Sequence, residues 1–308
     1  MSASAVRPAV TVTVTALTVV AAALLAGCGS VTTAGDGTAA PSASAGPCGV
    51  PLERPLEGWV RDEVRIVSVN DVCAEFEVTN AGGEPADFSV LFGWSGADQR
   101  LDTSPTGTVT AVPPGATVRG RIEVGTRNPA RANASQQPIV PSVKISRVRS
   151  VPTAEAPSHG GACPASGVRL YADQGDAAMG LRVVGLHLVN CGTSPVTVDG
   201  YPQVQALDEK HRAVDSLQVL KGGAAIATGT GADTPPQRIV LKTGEGVRST
   251  VVWRNTNDNL AADPVNAPYL RVRATPDAAP VMVTPELDLG TTGRLGVGAW
   301  TREDVPQS

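Results

Sequence analysis

Polar and apolar residues alternate with period two along several stretches of this 308-residue chain. In "TVRGRIEV" Val118, Ile122 and Val124 share one face, and Arg119, Arg121 and Glu123 take the other. "CAEFEVTN" sets Ala74, Phe76 and Val78 against Glu75, Glu77 and Thr79, and "YLRVRA" sets Leu270 and Val272 against Arg271 and Arg273. Successive side chains of a strand point to opposite faces, so this alternation predicts half-buried antiparallel strands. The 33 Gly and 25 Pro punctuate these runs at turn positions. Helical periodicity is hard to find. Many short strands with frequent turns predict an all-β chain of packed sheets.

The pattern also repeats. "FEVTNAGGEPADFSV" and "LHLVNCGTSPVTVDG" share Asn80 and Asn190 after a strand, each followed five residues later by Pro85 or Pro195. Further on, "AVPPGATVRGRIEV" and "VLKTGEGVRSTVVW" align without gaps, pairing Gly115, Val118, Arg119 and Ile122 with Gly244, Val247, Arg248 and Val251. From Asn to Gly is 35 residues in the first copy and 54 in the second. The extra length is expected within 208–237, as an exposed binding loop that can be shortened without loss of folding. Residues 151–162, "VPTAEAPSHGGA", show no alternation and read as a linker. The expected organisation is two tandem immunoglobulin-like antiparallel β-sandwich domains, 48–150 and 163–303.

The remaining apolar run, Ala9 to Ala26, follows the single charge Arg7 and ends on small residues before Cys28. A positive start, an apolar middle and a small-residue end read as a signal peptide, residues 1–27. Leu25-Ala26-Gly27-Cys28 resembles the lipobox of bacterial lipoproteins at every position. The resemblance implies a diacylglyceryl group on the Cys28 thiol and an outer-face, lipid-anchored location at the cell membrane, with palmitate among the acyl chains. Residues 28–47 are Gly, Ser, Thr, Ala and Pro with few other residues, a composition suited to a flexible tether.

Composition narrows the remaining options. The net charge is −4, and loss of residues 1–27 removes only Arg7, leaving −5. No basic cluster suggests a nucleic-acid partner. Four cysteines besides Cys28 are an even set in an exported chain and read as disulfides. Three pairings exist. Two of them would bolt the copies together across the linker. The third, Cys48–Cys73 with Cys163–Cys191, stays within each copy and is the expected one, with loops of 25 and 28 residues.

The second half resembles the domain of unknown function family 4232 over roughly 163–300. The matching pieces are Cys163, "LVN" ending at Asn190, Gly200-Tyr201-Pro202, "LKTGEGVRSTVVW" and "YLRVRATP". Cys191 directly follows Asn190, whereas the family's cysteine usually falls near the position of Val196, and a later cysteine pair of the family is missing. The resemblance implies an immunoglobulin-like sandwich outside the cytoplasm and supplies no activity. No family resemblance is read in the first half.

Catalytic and metal motifs are weak. "GWSGA", Gly93 to Ala97, is one residue short of a nucleophile elbow and reads as a turn. His159 lies in the linker, His187 alternates with Leu186 and Leu188 and faces away from the core or along a sandwich edge, and His211 lies in a charged loop or short helix. "NTNDNLAADPVN", 255–266, spaces oxygen side chains like a calcium loop but has Leu260 and Asn266 where Gly and Glu are needed. "KGGAAIATGTGAD" reads as a flexible loop. Trp59, Trp94, Trp253 and Trp300 read as core anchors, and Tyr201 as a packed aromatic. The resulting expectation is a lipid-anchored binding or envelope-organising module, with no enzyme activity and no cofactor. Its partners would be the membrane, through the anchor, and an envelope protein or the cell wall. A solute- or metal-binding lipoprotein is the alternative, and a cell-envelope enzyme is less favoured.

Overall fold

A computed structural model of the chain describes residues 46–70, 72–95, 101–123, 142–259 and 261–303, leaving out the side chains of 101 and 102. The expected signal peptide, Cys28 and nearly all of the tether lie outside them, as does Val124. The fold is all-β, as the alternation predicts.

In the first half, β1 (Val60–Arg61), β2 (Val64–Val69), β3 (Cys73–Thr79) and β7 (Thr117–Glu123) form one sheet in that order. Facing it, β4 (Ala86–Ser95) pairs with β8 (Ser142–Pro152) on one edge and with β6 (Thr106–Val112) and β5 (Leu101–Thr103) on the other. The alternating residues of β3 do what their pattern predicts: Ala74, Phe76 and Val78 are buried. Phe76 meets Phe92 from the opposite sheet at 5.1 Å between ring centroids. Gly120 on β7 leaves room for this ring, since a Cβ there would collide with it.

The second half repeats the plan with more strands. β11 (Leu181–Asn190) is flanked by β9 (Val168–Ala172) and β10 (Asp176–Ala178) on one edge and by β16 (Gly246–Arg254) on the other. β16 in turn pairs with β21 (Arg294–Val297) and β22 (Thr301–Glu303), and β14 (Gln218–Lys221) runs parallel to β21. The opposing layer holds the pairs β12 (Val196–Asp199) with β15 (Arg238–Leu241) and β17 (Asn266–Ala267) with β20 (Leu287–Asp288). It also holds the ribbon of β13 (Gln203–Leu207), β18 (Tyr269–Arg273) and β19 (Val281–Val283). Each half has its own apolar cluster drawn from both layers, with Trp59 and Trp94 in one and Trp253 and Trp300 in the other.

The repeat is exact in register. Val78 pairs with Val118 and Glu77 with Arg119; Leu188 pairs with Val247 and His187 with Arg248. Asn80 and Asn190 also play one role. Nδ2 of Asn80 donates to the carbonyls of Glu84 and Val112, and Nδ2 of Asn190 donates to those of Ser194 and Leu241. Their Oδ1 atoms accept from the backbone N–H of Gly82 and Gly192. Each asparagine thus ties a strand end in one layer to a strand in the other.

The disulfides are Cys48–Cys73 and Cys163–Cys191. Cys73 shares the Glu75 face of β3, yet Cys48 and Cys73 are fully buried, because the 46–49 turn folds over them.

Two expectations are corrected. The segment 208–237 is not an appended loop. It contributes β14 to the sheet, and Ala232 is fully buried against Gly223 and Gly298. Oδ1 of Asp233 accepts from the backbone N–H of Gly223 and Ala224, which fixes the glycine-rich stretch. The expected linker 151–162 begins inside β8, where Val151 is buried, and continues as one 3₁₀ turn, Thr153–Glu155.

That segment is clamped at a junction between the halves. Arg149 makes a two-pronged pair with Glu286, at 2.8 and 2.7 Å, and a third contact with Glu209 at 2.9 Å. Its guanidinium lies over the Tyr269 ring, and the Tyr269 hydroxyl accepts from the backbone N–H of Ser150. Arg271 pairs with Glu155 at 2.7 Å, and Val151, Leu207, Tyr269 and Met282 form a small apolar cluster beneath. The described residues of both halves fall within one compact unit.

Candidate functional site

The densest chemistry among the described residues lies on the outer face of the second sandwich. β11 pairs with β9 so that His187 stands beside Tyr171, and with β16 so that it stands beside Arg248. Just past β9, Asp173 accepts from the backbone N–H of Gly175 and Gly185 through Oδ1. This turns Oδ2 toward the sheet. There it meets His187 Nε2 at 3.1 Å and Arg248 Nη2 at 3.3 Å. Glu303, the last residue of β22, approaches from the other side, with Oε2 2.9 Å from His187 Nδ1. Gly185 makes this possible, because a Cβ would collide with both Asp173 and Arg248.

His187 is 9% exposed. Tyr171 stacks flat on it, with ring centroids 4.9 Å apart and planes 9° apart, and His159 packs on the far face of this pair at 4.5 Å from Tyr171. Burial raises the pKa of the Tyr171 hydroxyl, and the charges of Glu303 and Asp173 add to the shift. Partial burial lowers the pKa of His159, and the charge of His187 adds to it.

Carboxylates thus flank both ring nitrogens of His187. Arg248 adds a cation beside Asp173, with its Nε buried and without a hydrogen-bond partner. The cluster is a polar brace on the sheet that fastens β22 to β11. Sequence reading set His187 apart from Leu186 and Leu188 but missed its partners, which lie 14 and 116 residues away.

The other sequence candidates do not converge on this place. His211 lies at the junction, edge-on to Tyr269 at 4.4 Å. Gly93, Trp94 and Ser95 belong to β4, and Gly96 and Ala97 lie outside the described residues. In the calcium-like stretch, Asn255 donates to Asp288, and Asn259 Oδ1 accepts from Ala261 N–H. Leu260 lies outside the described residues. No group of three or more His, Cys, Asp or Glu side chains is placed to hold a metal ion among the described residues. An open groove of about 680 Å³ runs between the start of β21 and the 262–266 loop, lined by Ser216, Gln218, Asp263, Asn266 and Arg294 among others.

No curated protein matches the chain. Among solved structures, a putative β-galactosidase from Bacteroides fragilis is similar at 10% identity and a TM-score of 0.23, over 75% of this chain and 33% of that one. Red sea bream transglutaminase is similar at 12% identity and a TM-score of 0.17, over 78% of this chain and 31% of that one. The chain thus spans about a third of the length of either enzyme, and likeness at such TM-scores carries no argument. Residues 163–301, the second sandwich, match the family model described as "Domain of unknown function (DUF4232)", the family that Cys163, Asn190 and Gly200-Tyr201-Pro202 led us to expect.

Proposed function

We propose that the chain is a lipid-anchored extracytoplasmic protein that works by binding an envelope partner and not by catalysis. The observation that carries this is the cysteine balance. The chain has five cysteines, and four close two bridges within the sandwiches. Bridges of this kind persist outside the cytoplasm. The one cysteine left over is Cys28, at the end of the lipobox-like stretch. A thiolate is the nucleophile that lipid transfer needs, and stable anchoring takes two or more acyl chains. The non-catalytic part of the proposal draws on the brace, whose histidine has both nitrogens occupied.

In cells fed labelled palmitate, the protein takes up label and Cys28→Ala takes up none. Label on Cys28→Ala would sink the anchor. Pull-down of the tethered protein from membranes then names the partner.

A second reading, solute binding, rests on the groove and its hydroxyl, amide and charged lining. Native mass spectrometry of the protein purified from its host separates the two: a retained small molecule favours the solute carrier.

A further inference from the structure

Seven large apolar side chains are exposed among the described residues, and four of them fall within one stretch. Val50, Leu52, Leu56 and Val60 are each about half exposed, at 58, 49, 53 and 54%. The other three, Met179, Val219 and Val240, belong to the second sandwich and are separated in sequence.

The stretch is held against the outer edge of β2. Val60 pairs with Arg65, and Leu52 donates its N–H to the carbonyl of Val67. Leu52 and Val60 thus both lie along the outer edge of β2. Leu56 lies in the turn between them, where its carbonyl accepts from the Trp59 N–H. The Cys48–Cys73 bridge fixes the start of the stretch, and Trp59 beneath it is 2% exposed. The stretch is therefore an apolar patch tied by backbone bonds and a disulfide to the edge of the first sandwich.

We infer that this patch is a second membrane contact, borne by the protein itself and resting on the lipid bilayer. The inference rests on the proposed anchor at Cys28. Cys28 and Cys48 are 20 residues apart. A Gly- and Ser-rich chain of that length has a root-mean-square span of about 25 Å. The patch is the first folded surface after the tether and is kept at a high effective concentration beside the membrane, where a weak contact suffices. Its charged neighbours are mixed: Glu53, Glu57, Asp62 and Glu63 against Arg54, Arg61, Arg65 and Lys144, whose side chain lies over Gly58. No basic excess draws it to anionic headgroups, so the contact is apolar and insensitive to salt.

The test uses purified, palmitate-bearing protein in vesicles of phosphatidylglycerol and phosphatidylethanolamine with a phospholipid carrying a photoactivatable acyl chain. Crosslinks mapped by peptide mass spectrometry should concentrate at least fivefold in the peptide spanning 48–61 over those containing Met179, Val219 or Val240. Leu52→Asp with Leu56→Asp should abolish that excess, while palmitate content and the melting transition stay unchanged; raising the salt should leave the wild-type crosslinks in place. Crosslinks spread evenly over the surface, or unaffected by the two substitutions, would overturn the inference and leave the anchor standing. So would crosslinking of the 48–61 peptide to a second copy in place of lipid. Protein that carries no palmitate would overturn both.

Discussion

Asn190 is fully buried and Asn80 is 2% exposed, and each side chain spends three hydrogen bonds on backbone groups. A buried polar group that loses its partner costs about 1–3 kcal/mol. Asn190→Ala leaves the Leu241 carbonyl without this donor and the Gly192 N–H with the Gly167 carbonyl alone. It should lower stability by about 2–3 kcal/mol, read from the denaturant midpoint. Asn190→Asp should be no better, since a carboxylate facing two carbonyl oxygens has no proton to offer. A loss below roughly 0.5 kcal/mol, the size of an ordinary surface change, would show that the bonds to the opposite layer contribute little. The sequence made the asparagines visible as repeat markers, through their equal spacing from Pro85 and Pro195. Their partners were hidden, because Val112 and Leu241 are 32 and 51 residues away and are reached only when the layers pack.

The strands themselves were legible where one face is wet. The alternation of β3, β7 and β18 was enough to assign their buried faces. β14 was not legible, since its place depends on close approaches at Gly223, Gly296 and Gly298, which carry no periodic signal. The outer faces of the two copies show what the shared register is used for. In the first copy, Glu77 on β3 lies between Arg65 on β2 and Arg119 on β7, at 2.6 and 3.1 Å. In the second, His187 takes the position of Glu77, Arg248 that of Arg119, and Tyr171 that of Arg65. One ladder is an anion between cations, and the other centres on an imidazole held by carboxylates. The hydrogen bond from Arg65 is the largest cause lowering the pKa of Glu77, with Arg119 adding to it against the opposing effect of burial. A carboxylate whose pKa is depressed on folding stabilises the fold above its unfolded value and loses that contribution as pH falls through the lower folded value. Wild-type protein should therefore lose melting temperature as pH drops below the ordinary carboxylate value of 4.5. Glu77→Gln should start less stable at neutral pH and show a shallower acid limb. Identical slopes for the two proteins would mean that the ladder does not couple folding to protonation. Both arginines are well exposed, so the effect should shrink with added salt.

At the scale of the molecule, covalent and non-covalent connections divide differently. Each disulfide closes within one half, and by the loop-entropy estimate each contributes roughly 3–4 kcal/mol to its own sandwich. Among the described residues the halves are joined, apart from the chain, by the junction around Arg149 and by the 158–159 segment, where the Ser158 N–H donates to the Leu170 carbonyl and His159 packs on Tyr171. The Arg149 side chain is only 13% exposed and faces Glu286, Glu209 and Tyr269. The junction was the least legible feature of the sequence. Its residues come from 149–156, 207–211 and 269–286, and the first of these segments has the Pro- and Ala-rich composition of a linker. A protease site placed between the exposed Gly160 and Gly161 tests both kinds of connection. After cleavage, denaturing electrophoresis without reductant should resolve two fragments, because no bridge crosses the cut. Under native conditions the same fragments should elute together from a sizing column. Arg149→Ala removes the bidentate pair and the cation over the ring and leaves Glu286 without its closest partner. Losing one member of a partly buried pair costs about 2 kcal/mol or more, while the apolar cluster and the Arg147–Glu286 pair at 3.5 Å remain. On dilution a larger share of the cleaved variant than of the cleaved wild type should therefore elute as two separate species, each keeping its disulfide. Wild-type fragments that separate under native conditions would show that the junction is a contact of the intact chain alone. Fragments that stay joined in denaturant until reductant is added would contradict the bridges themselves.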